Sequence, residues 1–150
     1  MTTPQQTRSD AGLATALRIS VSRLARRLRA ARLAKGLEPG LSDTQLAALA
    51  SLERHSAMTP GELADHEKVQ PPSMTRVIAA LEELGLVMRA PHATDRRQVV
   101  LTVTAQGREV VQRSRRLREE WLAQRLRELT PRERAALRAA APILEKLSQS

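Results

Sequence analysis

Helix starts are written into this chain as capping residues and prolines, and their spacing allows only short helices through its middle. Ser42 followed by Gln45 reads as a capping box, in which the hydroxyl accepts from an unpaired backbone N–H and the amide reaches back to the cap. Thr59, Pro60 and Glu62 repeat the signal, with proline in the first helical position, where a missing N–H costs nothing. Pro71 and Pro72 can only open a helix, and Thr130, Pro131 and Glu133 open another with the same box.

Apolar spacing fills in what lies between the starts. Leu13, Leu17, Val21, Leu24, Leu28 and Ala31 recur at steps of four and three, which predicts a first helix over about 11–35 with one apolar stripe. Its other faces carry Arg18, Arg23, Arg26, Arg27, Arg29, Arg32 and Lys35 with no acid, and Gly36 to Gly40 should break it. Residues 1–10 lack periodicity and read as a frayed tail. A second helix is expected over about 43–55 and a third over about 60–66. A fourth follows Pro71, with Met74, Val77, Ile78, Leu81 and Leu84 facing inward and Gly85 supplying a left-handed stop.

Two short runs rich in Val and Leu, 86–89 and 99–103, flank APHATDRRQ and predict a hairpin with a polar, basic tip. Thr104 can cap a long fifth helix over about 105–129, whose length suggests an interface. The sixth continues an apolar stripe through Leu137, Ala141, Leu144 and Leu147, and Pro142 inside it predicts a kink or split.

Composition narrows the partners. Lys plus Arg number 25 against 16 Asp plus Glu, a formal charge of +9 that points to a polyanion. With one Trp and no Phe or Tyr, Leu, Val, Ile and Ala must build the interior, which suits helix-on-helix packing with a partner chain over an exposed stripe. No cysteine means no disulfide, thiolate zinc site or thiol chemistry. No apolar run approaches the roughly 20 residues that span a bilayer, and the N-terminus lacks a signal-peptide core. A cytoplasmic protein without membrane association is expected.

The order helix, helix, short helix, turn, helix, hairpin, long helix, helix contains a helix-turn-helix followed by a wing, so the expected fold is mainly α with a small β-hairpin. The fourth helix has an apolar back and a small polar front of Gln70, Ser73, Thr75 and Arg76. Small residues permit close approach to a groove, a helix N-terminus favours phosphate, and Arg76 is placed for phosphate or a guanine edge. Asp95, Arg96 and Arg97 sit at the hairpin turn, where an Arg can enter a narrow minor groove with the Asp holding its side chain.

The run from Leu63 to Gly107, most sharply SMTRVIAALEELGLVMRAPHATDRRQVVLTVTAQG from Ser73, resembles the MarR family of bacterial winged helix-turn-helix transcriptional regulators. The resemblance implies a roughly triangular homodimer. The helices of 11–35 and 105–148 would pair, and a winged lobe at 42–103 would read half of a pseudo-palindromic operator in double-stranded DNA. By the family pattern Ser73, Thr75 and Arg76 meet DNA from the recognition helix, Asp95 and Arg97 lie on the wing, and Arg89 supports or contacts the DNA backbone. Gln70 stands where a capping Ser is common, Lys68 where a turn Gly is common, and Pro71 and Pro72 replace polar residues. The resemblance also implies a small lipophilic or aromatic effector that releases a repressor, for which Arg54, His55 and Trp121 are conceivable contacts.

Other readings carry less. No P-loop, Rossmann glycine pattern, HExxH or G-x-S-x-G is present, so no enzyme, catalytic residue or cofactor is expected. His55, His66 and His92 with Glu62, Asp65 or Glu67 match no zinc signature, which leaves no metal site and makes a metal-responsive regulator an alternative only. The basic first helix admits a membrane-surface or partner-binding role. A constitutive or architectural DNA-binding protein without effector is the remaining alternative.

Overall fold

The computed structural model describes residues 9–34 and 40–150. The expected tail at 1–8 and most of the expected break at 36–40 lie outside the described residues, as does Lys35. Eight elements follow in the expected order: α1 Asp10–Ala34, α2 Asp43–His55, α3 Pro60–Glu67, α4 Pro71–Glu83, β1 Val87–Pro91, β2 Val99–Val103, α5 Ala105–Arg127 and α6 Pro131–Ser148.

The capping chemistry forms as the residue types dictate. At Ser42, Thr59 and Thr130 the hydroxyl accepts the backbone N–H of Gln45, Glu62 and Glu133, and each of those side chains accepts the N–H of its cap residue. Hydrogen bonding to Thr130 holds the Glu133 carboxyl below its ordinary value. α5 ends two residues sooner than expected, its last turn tightening as Leu129 N–H donates to Leu126 O at 3.3 Å, and the Arg134 guanidinium donates to Leu126 O and Leu129 O at 3.3 and 3.0 Å. α6 runs unbroken through Pro142, so the helix is not split there. The carbonyl that proline orphans belongs to Arg138, which is exposed and open to water.

The described residues divide into two compact units, those within 32–116 and those within 1–31 together with 117–150. In the first, α2, α3 and α4 enclose a core of Leu46, Leu49, Leu52, Leu63, Met74, Ile78 and Leu81, which the hairpin closes with Leu86, Val87 and Leu101 and α5 with Val110 and Val111. Fully burying a Leu or Ile contributes about 1.5–3 kcal/mol. β1 and β2 pair antiparallel from Val87 opposite Val103 to Pro91 opposite Val99. β1 thus extends past the expected Arg89, because proline is tolerated at the end of an edge strand. Met58 adds an isolated antiparallel bridge to β2: its N–H donates to Leu101 O at 3.2 Å, and Leu101 N–H donates to Met58 O at 2.7 Å.

One knot fixes the hairpin to α5. Gly85 has φ +73°, the left-handed stop expected of it. Thr104 Oγ1 donates to Gly85 O at 2.7 Å and accepts from Gly107 N–H at 3.1 Å, while Thr104 N–H donates to Leu86 O at 3.0 Å. Gly107 is required for the approach, since a Cβ there would lie 2.2 Å from Leu86 O. Arg32 closes the other end of this unit. Buried at 3% exposure, it donates to Leu41 O at 3.2 Å and reaches Asp43 at 3.4 Å.

The second unit holds α1 up to Ala31, the later part of α5 and α6. None of α6 is buried, and Leu13, Val21 and Leu24 of the expected α1 stripe are exposed.

Candidate nucleic-acid interface

The turn between α3 and α4 consists of Lys68, Val69 and Gln70. Lys68 takes φ 54° and ψ 39°, a left-handed conformation that costs a lysine more than glycine. Val69 packs against the core and its N–H returns to Ala64 O at 3.0 Å, so the turn is anchored from inside. α4 then emerges with Met74, Ile78 and Leu81 buried at steps of four and three. That pattern leaves Ser73, Thr75 and Arg76 exposed together on the opposite face, with Gln70 exposed at the cap.

Two details refine the expected chemistry of this face. Gln70 makes no side-chain cap bond, so its amide is not committed to the helix end. Pro71 and Pro72 carry no amide hydrogen, and Met74 N–H is given to Gln70 O at 3.0 Å. The first turn therefore offers phosphate the amide of Ser73 and not a row of them. Thr75 Oγ1 donates to Pro71 O at 3.0 Å, which leaves its oxygen as an acceptor toward a partner.

The wing presents the second group. Arg96 and Arg97 are exposed and Asp95 is half-buried. The Asp95 carboxylate was expected to hold an arginine side chain, but Asp95 Oδ1 accepts the Arg97 backbone N–H at 3.0 Å and so shapes the turn. Arg89, on β1, pairs through Nε with Glu82 of α4 at 2.8 Å. An exposed pair of this kind contributes little stability, about 0–1 kcal/mol, and its effect is to orient the guanidinium beside the recognition helix.

The residues offered for an effector fall in different units. Arg54 and His55 end α2, where the His55 ring meets His66 edge-on at 4.9 Å. Trp121 lies in the helical unit in contact with two guanidinium groups, Arg27 at 5.9 Å and Arg125 at 5.0 Å from the ring centre. His92 is on the wing, away from the other two histidines in sequence, and the described residues contain no cluster of three or more His, Asp or Glu suited to a metal. No helix among them is long and apolar enough to cross a membrane.

Glu82 and Gly107 act in this region without having been singled out from the sequence, and His92, weighed there only as a metal ligand, acts here in the turn. Glu82 and Gly107 have partners on other elements, so no local pattern marks them, whereas His92 carries a local signal in the Thr and Asp two and three residues ahead.

A helix-turn-helix with an apolar-backed second helix, joined to a cationic two-stranded wing, defines a winged-helix DNA-binding regulator. A family model described as "MarR family" matches residues 41–99. An HTH-type transcriptional regulator of Mycobacterium bovis is 49% identical over 136 residues, covering 91% of this chain and 92% of that protein. The HTH-type transcriptional repressor MdtR of Bacillus subtilis is 29% identical over 91 residues, 61% of this chain and 59% of its own. A crystal structure of a Pseudomonas aeruginosa transcriptional regulator superposes with a TM-score of 0.81 at 33% identity, covering 99% of both chains. This chain belongs to the MarR family of transcriptional regulators, and it is a DNA-binding regulator and not an enzyme.

Proposed function

We propose that this protein is a repressor that binds a pseudo-palindromic operator as a homodimer in the cytoplasm, and leaves it when a small lipophilic or aromatic effector binds. The observation that carries the reading is the division of α4 into a buried apolar back and an exposed front of Ser73, Thr75 and Arg76, in the same unit as the exposed Arg96 and Arg97. In this reading α4 enters a major groove, with Gln70 and Arg76 toward base edges or phosphates. Arg96 and Arg97 reach an adjacent minor groove, and Arg89 supports the backbone contact. Repression is supported by the MdtR likeness.

Self-association is supported by the leucines that α1 and α6 leave in water, which a second copy would cover. The helices of 11–35 and 105–148 would form that interface and 42–103 the DNA lobe. Effector contact is assigned separately within each unit, to Arg54 and His55 in the lobe and to Trp121 in the helical unit, where an indole in contact with guanidinium groups suits an acidic aromatic molecule.

The experiment is titration of DNA from upstream of the protein's own gene, repeated across salt concentrations and with a panel of aromatic acids. Affinity should fall with salt at a log-log slope of roughly 0.9 per neutralised phosphate. Binding that ignores salt refutes the DNA reading. Affinity that no ligand alters favours a constitutive DNA-binding protein instead.

A further inference from the structure

The tip that joins the two strands is closed by an imidazole nitrogen. His92 Nδ1 lies 3.2 Å from Thr94 N and 3.1 Å from Asp95 N, with Thr94 Oγ1 at 3.4 Å. Both backbone amides are donors, so Nδ1 accepts, and a ring accepting there is neutral with its hydrogen on Nε2. Asp95, placed in this way, accepts Arg97 N–H at its carboxylate (3.0 Å) and Gln98 N–H at its carbonyl (3.1 Å). Gln98 O in turn accepts His92 N–H at 3.1 Å. Thr94, Arg96, Arg97 and Gln98 are exposed and contribute nothing to the core, so hydrogen bonds set the shape of the turn.

We propose that His92 is a positioning residue for DNA binding: its neutral ring orders the tip that presents Arg96 and Arg97, and protonation at Nδ1 releases that order. The proposal rests on the docking described under Proposed function. A side-chain acceptor for amides two and three residues ahead is the device that Asn and Asp supply in turns. Here a titratable ring supplies it, and histidine is the side chain whose charge changes nearest neutral pH. A second ring hydrogen turns the acceptor into a donor facing two donors, and both bonds are lost. The charged residues of the hairpin are Asp95, Arg96 and Arg97 at the tip and Arg89 on β1, while β2 carries none; of these Asp95 contacts the ring, through its backbone N–H.

The test compares the wild type with His92→Ala and His92→Asn in operator titrations at constant ionic strength. Each is run at about pH 8 and about pH 5.5. The amide resonances of Thr94 and Asp95 are followed in the DNA-free protein over the same range. At the higher pH His92→Ala should bind about three- to tenfold more weakly, the effect of losing one or two net hydrogen bonds. His92→Asn should stay within about twofold of the wild type, because its Oδ1 replaces the acceptor.

In acid the wild type should weaken relative to His92→Asn, and the two amides should follow a single titration absent from that variant. Three results overturn the proposal: His92→Ala equal to the wild type at the higher pH, His92→Asn as weak as His92→Ala, or the wild type gaining on His92→Asn in acid. The last would make the imidazolium a direct phosphate contact. If Arg97→Ala leaves operator affinity unchanged, the docking reading fails by itself. The amide titration of the free protein then still decides whether His92 holds the turn.

Discussion

Leucines fare differently in the two units, although Leu84, expected to face inward from α4, is 41% exposed at its C-cap. In the winged lobe Leu49, Leu52, Leu63, Leu81, Leu86 and Leu101 are 0% exposed, whereas in the helical unit Leu13, Leu24, Leu137, Leu144 and Leu147 stand 45, 43, 47, 40 and 58% exposed. The cause is in the spacing of the helix starts. α2, α3 and α4 begin at residues 43, 60 and 71, so short helices joined by tight turns must fold back on one another and enclose a core. α1 and α6 are longer, each with one stripe, and much of each stripe stays exposed: Leu13, Val21 and Leu24 on α1, beside half-buried Leu17 and Leu28, and Leu137, Leu144 and Leu147 on α6. The lobe's stability is therefore intrinsic, while that of the helical unit depends on what covers its leucines; for the proposed homodimer, that makes it a function of protein concentration.

The comparison breaks most visibly at the lobe core. Leu49→Ala should cost about 2–5 kcal/mol in urea unfolding, with a midpoint for the lobe that does not move with protein concentration. A midpoint that climbs on concentration would mean that the lobe too borrows stability from a partner. Next in size is Gly107→Ala, whose methyl meets Leu86 O; a cost of about 1–3 kcal/mol and broadened amide signals in the hairpin are expected. Arg76→Ala should weaken operator binding by about 1–3 kcal/mol and leave the unfolding midpoint in place, since the side chain is exposed.

On the other side of the comparison, Leu144→Lys should leave lobe unfolding within about 0.5 kcal/mol of the wild type while raising the dimer dissociation constant in sedimentation equilibrium. An unchanged dimer would remove α6 from the interface. The smallest effect concerns the α6 start. The folded Glu133 carboxyl is held below its ordinary value, so its contribution is present above the unfolded value of 4.5 and is lost as pH falls through the lower folded one. Fraying of α6 in acid, seen as faster amide exchange near Arg134, should appear in the wild type. It should be absent from Glu133→Gln, whose carbonyl accepts the same bond without titrating.

What could be read from the sequence was what is local. The three boxes, the proline-opened α3 and α4, the left-handed Gly85 and the Thr104 cap each involve residues within a turn of one another, and all formed as expected. The polar front of α4 and the basic tip were legible for the same reason. The Glu82–Arg89 pair, the Gly107 contact with Leu86 O and the Met58–Leu101 bridge were not, because each joins elements whose meeting depends on the finished fold. Lys68 shows the limit of a residue-type rule. The turn needs a left-handed position, and anchoring of Val69 enforces it on a residue that does not favour it.

Trp121 gives the molecule a property of practical use. It is the single tryptophan in a chain without tyrosine, so near-ultraviolet emission comes from one indole in the helical unit. Its neighbouring guanidinium groups make that emission sensitive to any rearrangement of Arg27 or Arg125. Fluorescence thus reports on one half of the protein while the other stays spectroscopically dark.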